Sequence, residues 1–132
     1  MKDYEVKVLD ENDHIFIKTL SNLGMSRNVA TTMAYLMNVD ETSSQEIEIS
    51  TGLRQPEVCL AIRVMRNQSW VSVRSEKKLR KERMMKIYSL VVPVDEIISY
   101  YEDRIFKESQ ATISTIKKLK VMSKKMPLTL SK

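Results

Sequence analysis

Between Gln68 and Trp70 the apolar residues of this chain change period. Before that point they recur every three or four positions, as on one face of a helix. From Trp70 to Ser75, and again from Met85 to Leu90, they alternate, as on a strand with one buried face. After Pro93 the helical spacing returns and runs to about Val121 with no glycine or proline inside. A chain patterned in this way folds as several helices, one β-hairpin and a long final helix. Two glycines and three prolines in 132 residues leave little material for the turns of an all-β fold or the phosphate loop of a nucleotide enzyme. The fold class is therefore mainly α.

Local chemistry places the helix ends. A first helix runs from about Asp13 to Leu23, with Ile15, Phe16, Leu20 and Leu23 on its stripe and Gly24 in the place of a left-handed cap. Ser26 opens a second, with Val29, Met33, Leu36 and Met37 on one face before the polar turn at Asp40 and Glu41. Ser43 and Glu46 form an S-x-x-E capping box for a short third helix that carries Ile47 and Ile49 and stops at Gly52. A fourth follows Leu53, with Pro56 in the first turn, where its missing N–H costs nothing, and Val58, Ala61, Ile62 and Met65 as its apolar stripe.

Charge is distributed unevenly along these elements. Residues 1–50 hold four Lys/Arg against nine Asp/Glu, residues 51–93 ten against three, and residues 94–132 eight against five. The middle segment thus carries a net charge of +7 in a chain whose total is +5. A basic surface concentrated in this way is the footprint of a phosphate-binding face.

Two short helices joined at Gly52 and followed by a basic hairpin are the parts of a winged helix-turn-helix, here spanning residues 43–92. The first short helix braces the second, whose N-terminal residues meet base edges in a DNA major groove. With Val58, Ile62 and Met65 turned inward, Gln55, Glu57, Cys59, Leu60, Arg63, Arg66 and Asn67 remain on the outer circumference. Gln55 is the leading candidate for a base contact, because a carboxamide bridges N6 and N7 of adenine. Arg63 is placed to meet a guanine or a phosphate, and Arg54 and Arg66 to meet phosphates. On the wing, Arg74, Lys77, Lys78, Arg80, Lys81 and Arg83 have no core partner to satisfy them and are expected on the backbone or in the minor groove.

The run from Leu20 to Ala30, together with Tyr35-Leu36-Met37, Ser44-Gln45-Glu46-Ile47, Thr51-Gly52-Leu53, Val58, Ala61-Ile62, Met65 and Trp70-Val71, resembles the archaeal TrmB-type winged-helix regulators over residues 13–90. A vaguer similarity links the chain to MarR-type and ArsR-type regulators. The resemblance implies a dimeric DNA-binding regulator with its long terminal helix at the dimer interface. Ser69 stands where that family usually has a glycine before the first wing strand. Effector chemistry of the TrmB sugar-binding domain is not carried over.

The expected organisation is a DNA-binding domain over residues 1–93, a long dimerisation helix over 94–121 and a flexible tail over 122–132. The dimer seam is expected to comprise Val94, Ile97, Ile98, Tyr101, Ile105, Thr112, Ile116 and Leu119, at spacings of three and four. A two-fold dimer implies an inverted-repeat operator.

Other functions find little support. The one histidine, His14, and the one cysteine, Cys59, are not brought together by anything in the sequence, so neither an enzyme nor a metal site is expected, and no cofactor. Cys59 reads as a small, partly buried residue in preference to a redox sensor. The acidic, polar N-terminus and the lack of a long apolar run suggest a cytoplasmic protein without membrane contact. The competing class is a protein-interaction or architectural module of the transcription machinery, against which the charge of residues 51–93 argues. RNA binding would call for a stacking surface, and Trp70 is expected to pack beneath the wing.

Overall fold

The computed structural model describes residues 8–77 and 84–125. The chain divides between residues 94 and 95 into two compact units. The first contains four helices and a small sheet: α1 (Glu11–Asn22), α2 (Arg27–Met37), β1 (Thr42–Ser43), α3 (Ser44–Thr51), α4 (Gln55–Asn67), β2 (Val71–Lys77) and β3 (Met84–Leu90). This is a winged-helix fold.

Helix starts follow side-chain chemistry. Asp10 and Asp13 cap α1 reciprocally, each carboxylate accepting the other's backbone N–H at 2.9 and 3.0 Å. The helix therefore begins two residues before Asp13, the expected start. Ser26 Oγ accepts the Val29 N–H at 3.2 Å. The Ser43/Glu46 box forms as expected: Ser43 Oγ accepts the Glu46 N–H at 3.2 Å, and the Glu46 carboxylate accepts the Ser43 N–H at 3.0 Å.

Helices α1 and α4 end in the same way. After α1, Gly24 at φ 102° lets its N–H reach the Ser21 carbonyl and the Met25 N–H reach the Leu20 carbonyl. After α4, Ser69 takes the equivalent seat at φ 63°, with its N–H on the Arg66 carbonyl and the Trp70 N–H on the Met65 carbonyl, both at 2.9 Å. Both are Schellman closures. Ser69 thus makes the turn that Gly24 makes after α1, and accepts a left-handed backbone to do so.

Helix α2 supplies the centre of the core. Ala30, Met33, Ala34, Tyr35 and Leu36 are all 2% exposed or less, and each large side chain there contributes about 1.5–3 kcal/mol through the water it sheds. Around them lie Ile17 and Leu20 of α1, Ile47 of α3, and Val58, Ala61, Ile62 and Met65 of α4. The α4 stripe is the one expected. On α1 the buried face is turned toward Ile17, leaving Ile15 and Leu23 exposed; Met37 and Ile49 are exposed as well.

The sheet has the order β1-β3-β2, all antiparallel. Strand β3 is central, pairing Tyr88 with Thr42 and with Val73, and Ile87 with Ser43 and with Arg74. Ile87 and Tyr88 are both buried although neighbours on a strand face opposite ways, so both sides of the sheet are covered at this point. Trp70 is buried at the foot of the hairpin, where its carbonyl accepts the Val91 N–H at 2.9 Å. The hairpin connection that carries Lys78, Arg80, Lys81 and Arg83 lies outside the described residues.

The second unit is built on α5 (Val94–Lys124), 31 residues and about 46 Å long. It opens with Asp95 and Glu96 and closes with Lys124, charges that complement the helix dipole. It runs three residues past the expected end at Val121, so residues 122–124 are helical and not part of a tail. Ile97 and Tyr101, expected at a dimer seam, are buried within the single chain, whereas Ile98, Ile105, Ile116 and Leu119 are exposed.

Candidate nucleic-acid interface

Helix α4 owes its position to the turn at Gly52. The residue adopts φ 76°, its N–H closes on the Glu48 carbonyl at 2.9 Å, and the Thr51 hydroxyl accepts the Leu53 N–H at 3.2 Å. The chain then reverses tightly enough for α4 to begin at Gln55. Its first turn is held by Glu57, whose carboxylate accepts the Arg54 N–H at 2.9 Å and lies 4.0 Å from Arg54 Nε. Glu57 was expected on the DNA-facing surface. Its side chain is instead engaged in starting the helix, as befits an acidic group in a first turn.

With the apolar stripe inward, the outer circumference of α4 divides into two flanks. Gln55, Cys59, Arg63 and Arg66, separated by four, four and three residues, line the flank toward β3. Leu60 and Val64 occupy the other and are 56% and 43% exposed. Two grooves of about 550 and 460 Å³ border the first flank, and Cys59, Ile62, Lys86 and Tyr88 line both. The first also reaches Ser44, Gln45 and Gln55, at the starts of α3 and α4. The second carries Arg63 and Arg66. One concave strip thus leads from two helix N-termini to a cluster of three cations.

Lys86, Gln45 and Ser44 are additions to the residues expected from sequence. Lys86 had a signal in the alternation of β3, where it stands between Met85 and Ile87, but its placement beside Arg63 and Arg66 depends on how the strand lies against α4. Among the described residues no ion pair engages Arg63, Arg66, Lys77 or Lys86. Their charge is available to a ligand.

Arg74 differs. Its Nε donates to Glu41 at 2.8 Å, its Nη1 donates to Glu76 at 2.8 Å, and its Nη2 also donates to Glu41. The hydrogen bond to Glu41, then that to Glu76, holds the guanidinium pKa above its ordinary value. Arg74, expected to have no core partner, is instead satisfied at the surface, where its guanidinium reaches Glu41 of the loop before β1.

At the base of the strip, burial pushes the Tyr88 phenol above its ordinary pKa; the nearby Cys59 thiol acts in the same direction and Arg66 against it. Tyr88 is therefore a protonated donor at neutral pH. Cys59 is exposed, not partly buried. His14 is exposed on α1. Among the described residues no three His, Cys, Asp or Glu side chains gather as metal ligands would, and no helix is long and apolar enough to cross a membrane.

No protein-family description and no curated protein matches the chain. Solved structures do. A possible transcriptional regulator from Methanosarcina mazei Go1 superposes with a TM-score of 0.59 at 12% identity, over 89% of this chain and 95% of that one. TrmBL2, described as an archaeal chromatin protein with a novel mode of DNA binding, gives 0.61 at 13% identity over 87% of this chain, which spans 43% of that protein. A mutant of MepR from a multidrug resistant S. aureus clinical isolate gives 0.50 at 15% identity, over 92% and 91% of the two chains. At such low identity the likeness is one of fold, and the fold shared with these proteins is the winged helix seen here.

Proposed function

We propose that the protein is a transcription regulator that binds double-stranded DNA as a homodimer, with α4 in the major groove and the wing on the backbone or minor groove. The observation that carries this reading is the strip between α4 and β3, which joins Gln55 to Arg63, Arg66 and Lys86, three cations that form no ion pair among the described residues. Gln55, in the first turn of α4, serves as the base-reading group, and Leu60 is available to a thymine methyl. Arg54, Arg63, Arg66, Lys77 and Lys86 meet phosphates, as do the wing residues Lys78, Arg80, Lys81 and Arg83. The exposed apolar side chains of α5 support pairing of two chains, which would suit an inverted-repeat operator.

A duplex titration at two salt concentrations tests the reading. With six to ten phosphate contacts, affinity should fall by about 10³–10⁵ between 50 and 200 mM salt. Binding that is absent at low salt, or indifferent to salt, would remove DNA as the ligand.

The similarity to a chromatin protein favours a second reading, in which the chain coats or shapes DNA with little sequence preference. Selection of duplexes from a random pool separates the two. A regulator enriches a symmetric motif, and an architectural protein enriches none.

A further inference from the structure

Helix α5 carries a stripe of apolar side chains in water. At 100° per residue, Ile98, Ile105, Thr112, Ile116 and Leu119 fall within about 30° of one line along the helix. All five are exposed, Ile116 and Leu119 by 46% and 58%. The charges beside this stripe are sorted by position. Residues 94–108 contain Asp95, Glu96, Glu102, Asp103 and Glu108 against Arg104 and Lys107, whereas residues 109–125 contain five lysines and no acid. On one flank of the stripe Asp95 and Glu102 are followed by Lys117, Lys120 and Lys124. On the other, Arg104 and Glu108 neutralise each other within the helix at 3.2 Å.

This pattern selects a direction of pairing. Two copies of α5 side by side in parallel would bring ten lysines together within about 12 Å of helix axis, and would place the two acidic halves together as well. Reversing one copy sets every acidic half against a lysine half. In an antiparallel pair, moreover, like flanks face each other, so the flank that bears Glu102 meets the flank that bears Lys120. We propose that α5 pairs antiparallel with α5 of a second copy of this chain, Glu102 of each facing Lys120 of the other. The inference rests on the homodimer reading above and adds orientation and register to it.

With Glu102 opposite Lys120, the two helices cross near residue 111. The stripe there is made of Ser109 and Thr112, its smallest side chains, which lets the backbones approach. A hollow on this surface is lined by Ile105, Glu108, Ser109, Thr112 and Ile113. Residues at i, i+3, i+4 and i+7 are the four that form a hole for a knob from a facing helix, and the second copy's Ile116 is the side chain positioned to fill it. Exposed ion pairs add little stability, but placing unlike charges together and like charges apart is how helix pairs fix direction.

The test uses the full chain with Cys59→Ser as background. Ile105→Cys and Ile116→Cys chains, carrying different tags, are co-expressed and treated with a short bis-maleimide. In the antiparallel pair these two positions face each other, while residue 105 of one chain lies about 18 Å along the axis from residue 105 of the other. In a parallel pair, positions 105 and 116 lie about 16 Å apart along the axis. The expected result is a cross-linked dimer carrying both tags, several-fold more abundant than any dimer from either variant alone. Efficient 105–105 and 116–116 linkage would overturn the orientation and leave the homodimer standing. A monomeric mass for the unmodified protein by sedimentation would overturn both. Independently, Glu102→Lys should weaken association, and adding Lys120→Glu should restore it.

Discussion

Arg74 on the outer wing strand is tied to Glu41, thirty-three residues earlier in the chain, by two donors of its guanidinium. The pair anchors the wing to the loop that leads into β1, and Glu76 on the same strand completes the arrangement. A cation so engaged is expected to position the wing without touching phosphate. Arg74→Ala should therefore weaken duplex binding while leaving the slope of log K against log salt within the error of the parent. Glu41→Gln should weaken binding as well. If Arg74 instead contacts phosphate, Glu41→Gln frees a charge and raises affinity, and Arg74→Ala lowers the slope by about 0.9.

Gln55 and Lys86 border the same groove and should fail differently. Gln55→Ala should cost about 1–3 kcal/mol against the preferred site and little against random duplexes, relaxing preference at one base position. Lys86→Ala should weaken all duplexes alike and lower the salt slope by about 0.9. Competition titrations with preferred and scrambled duplexes separate the two phenotypes.

Ser69 occupies a left-handed seat that a glycine fills at the end of α1. A non-glycine residue there carries a conformational cost of about 1–2 kcal/mol, which glycine avoids at the expense of a more flexible unfolded chain. Ser69→Gly is expected to raise stability by about 0.5–1 kcal/mol, read as a higher urea midpoint with an unchanged m-value. A lower midpoint would mean that the serine side chain supports the closure in a way its backbone does not reveal.

The raised pKa of Tyr88 makes a statement about alkaline stability. The folded state holds this phenolic proton more tightly than the unfolded chain, whose phenols titrate near 10. Its contribution is thus complete below about pH 10 and is lost as pH rises through the folded value. Stability measured from pH 9 upward should fall more steeply in the parent than in Tyr88→Phe; equal slopes would show that ionisation of Tyr88 is not coupled to unfolding.

The helix starts after α1 were legible because each depends on residues within one turn of one another; the Asp10/Asp13 box that opens α1 is equally local, and its signal was missed. Ser26, the Ser43/Glu46 box, Pro56 and Gly52 all act where local chemistry placed them. Wing strands were legible from their alternation, and the α4 stripe from its spacing. What escaped was set by partners distant in sequence. Ile15 and Ile17 are equally apolar, and only the packing of α1 on α2 decides between them. Consecutive burial of Ile87 and Tyr88 reflects cover on both faces of a sheet, which one-faced alternation does not encode. Lys86 joins Arg63 and Arg66 through the lie of a strand against a helix, and Arg74 was read as available because Glu41 belongs to another element.

Strand β1 is only two residues long, yet Ser43 belongs to it and also caps α3. Its pairing with Ile87 therefore fastens the wing strand to the first turn of the helix that braces α4. A slip of β3 by one residue would turn every one of its side chains to the opposite face, taking Lys86 out of the groove and bringing an apolar neighbour into it. The two-residue strand acts as a ratchet pawl: by refusing that single step, it keeps a lysine in place of a methionine or isoleucine beside Arg63 and Arg66.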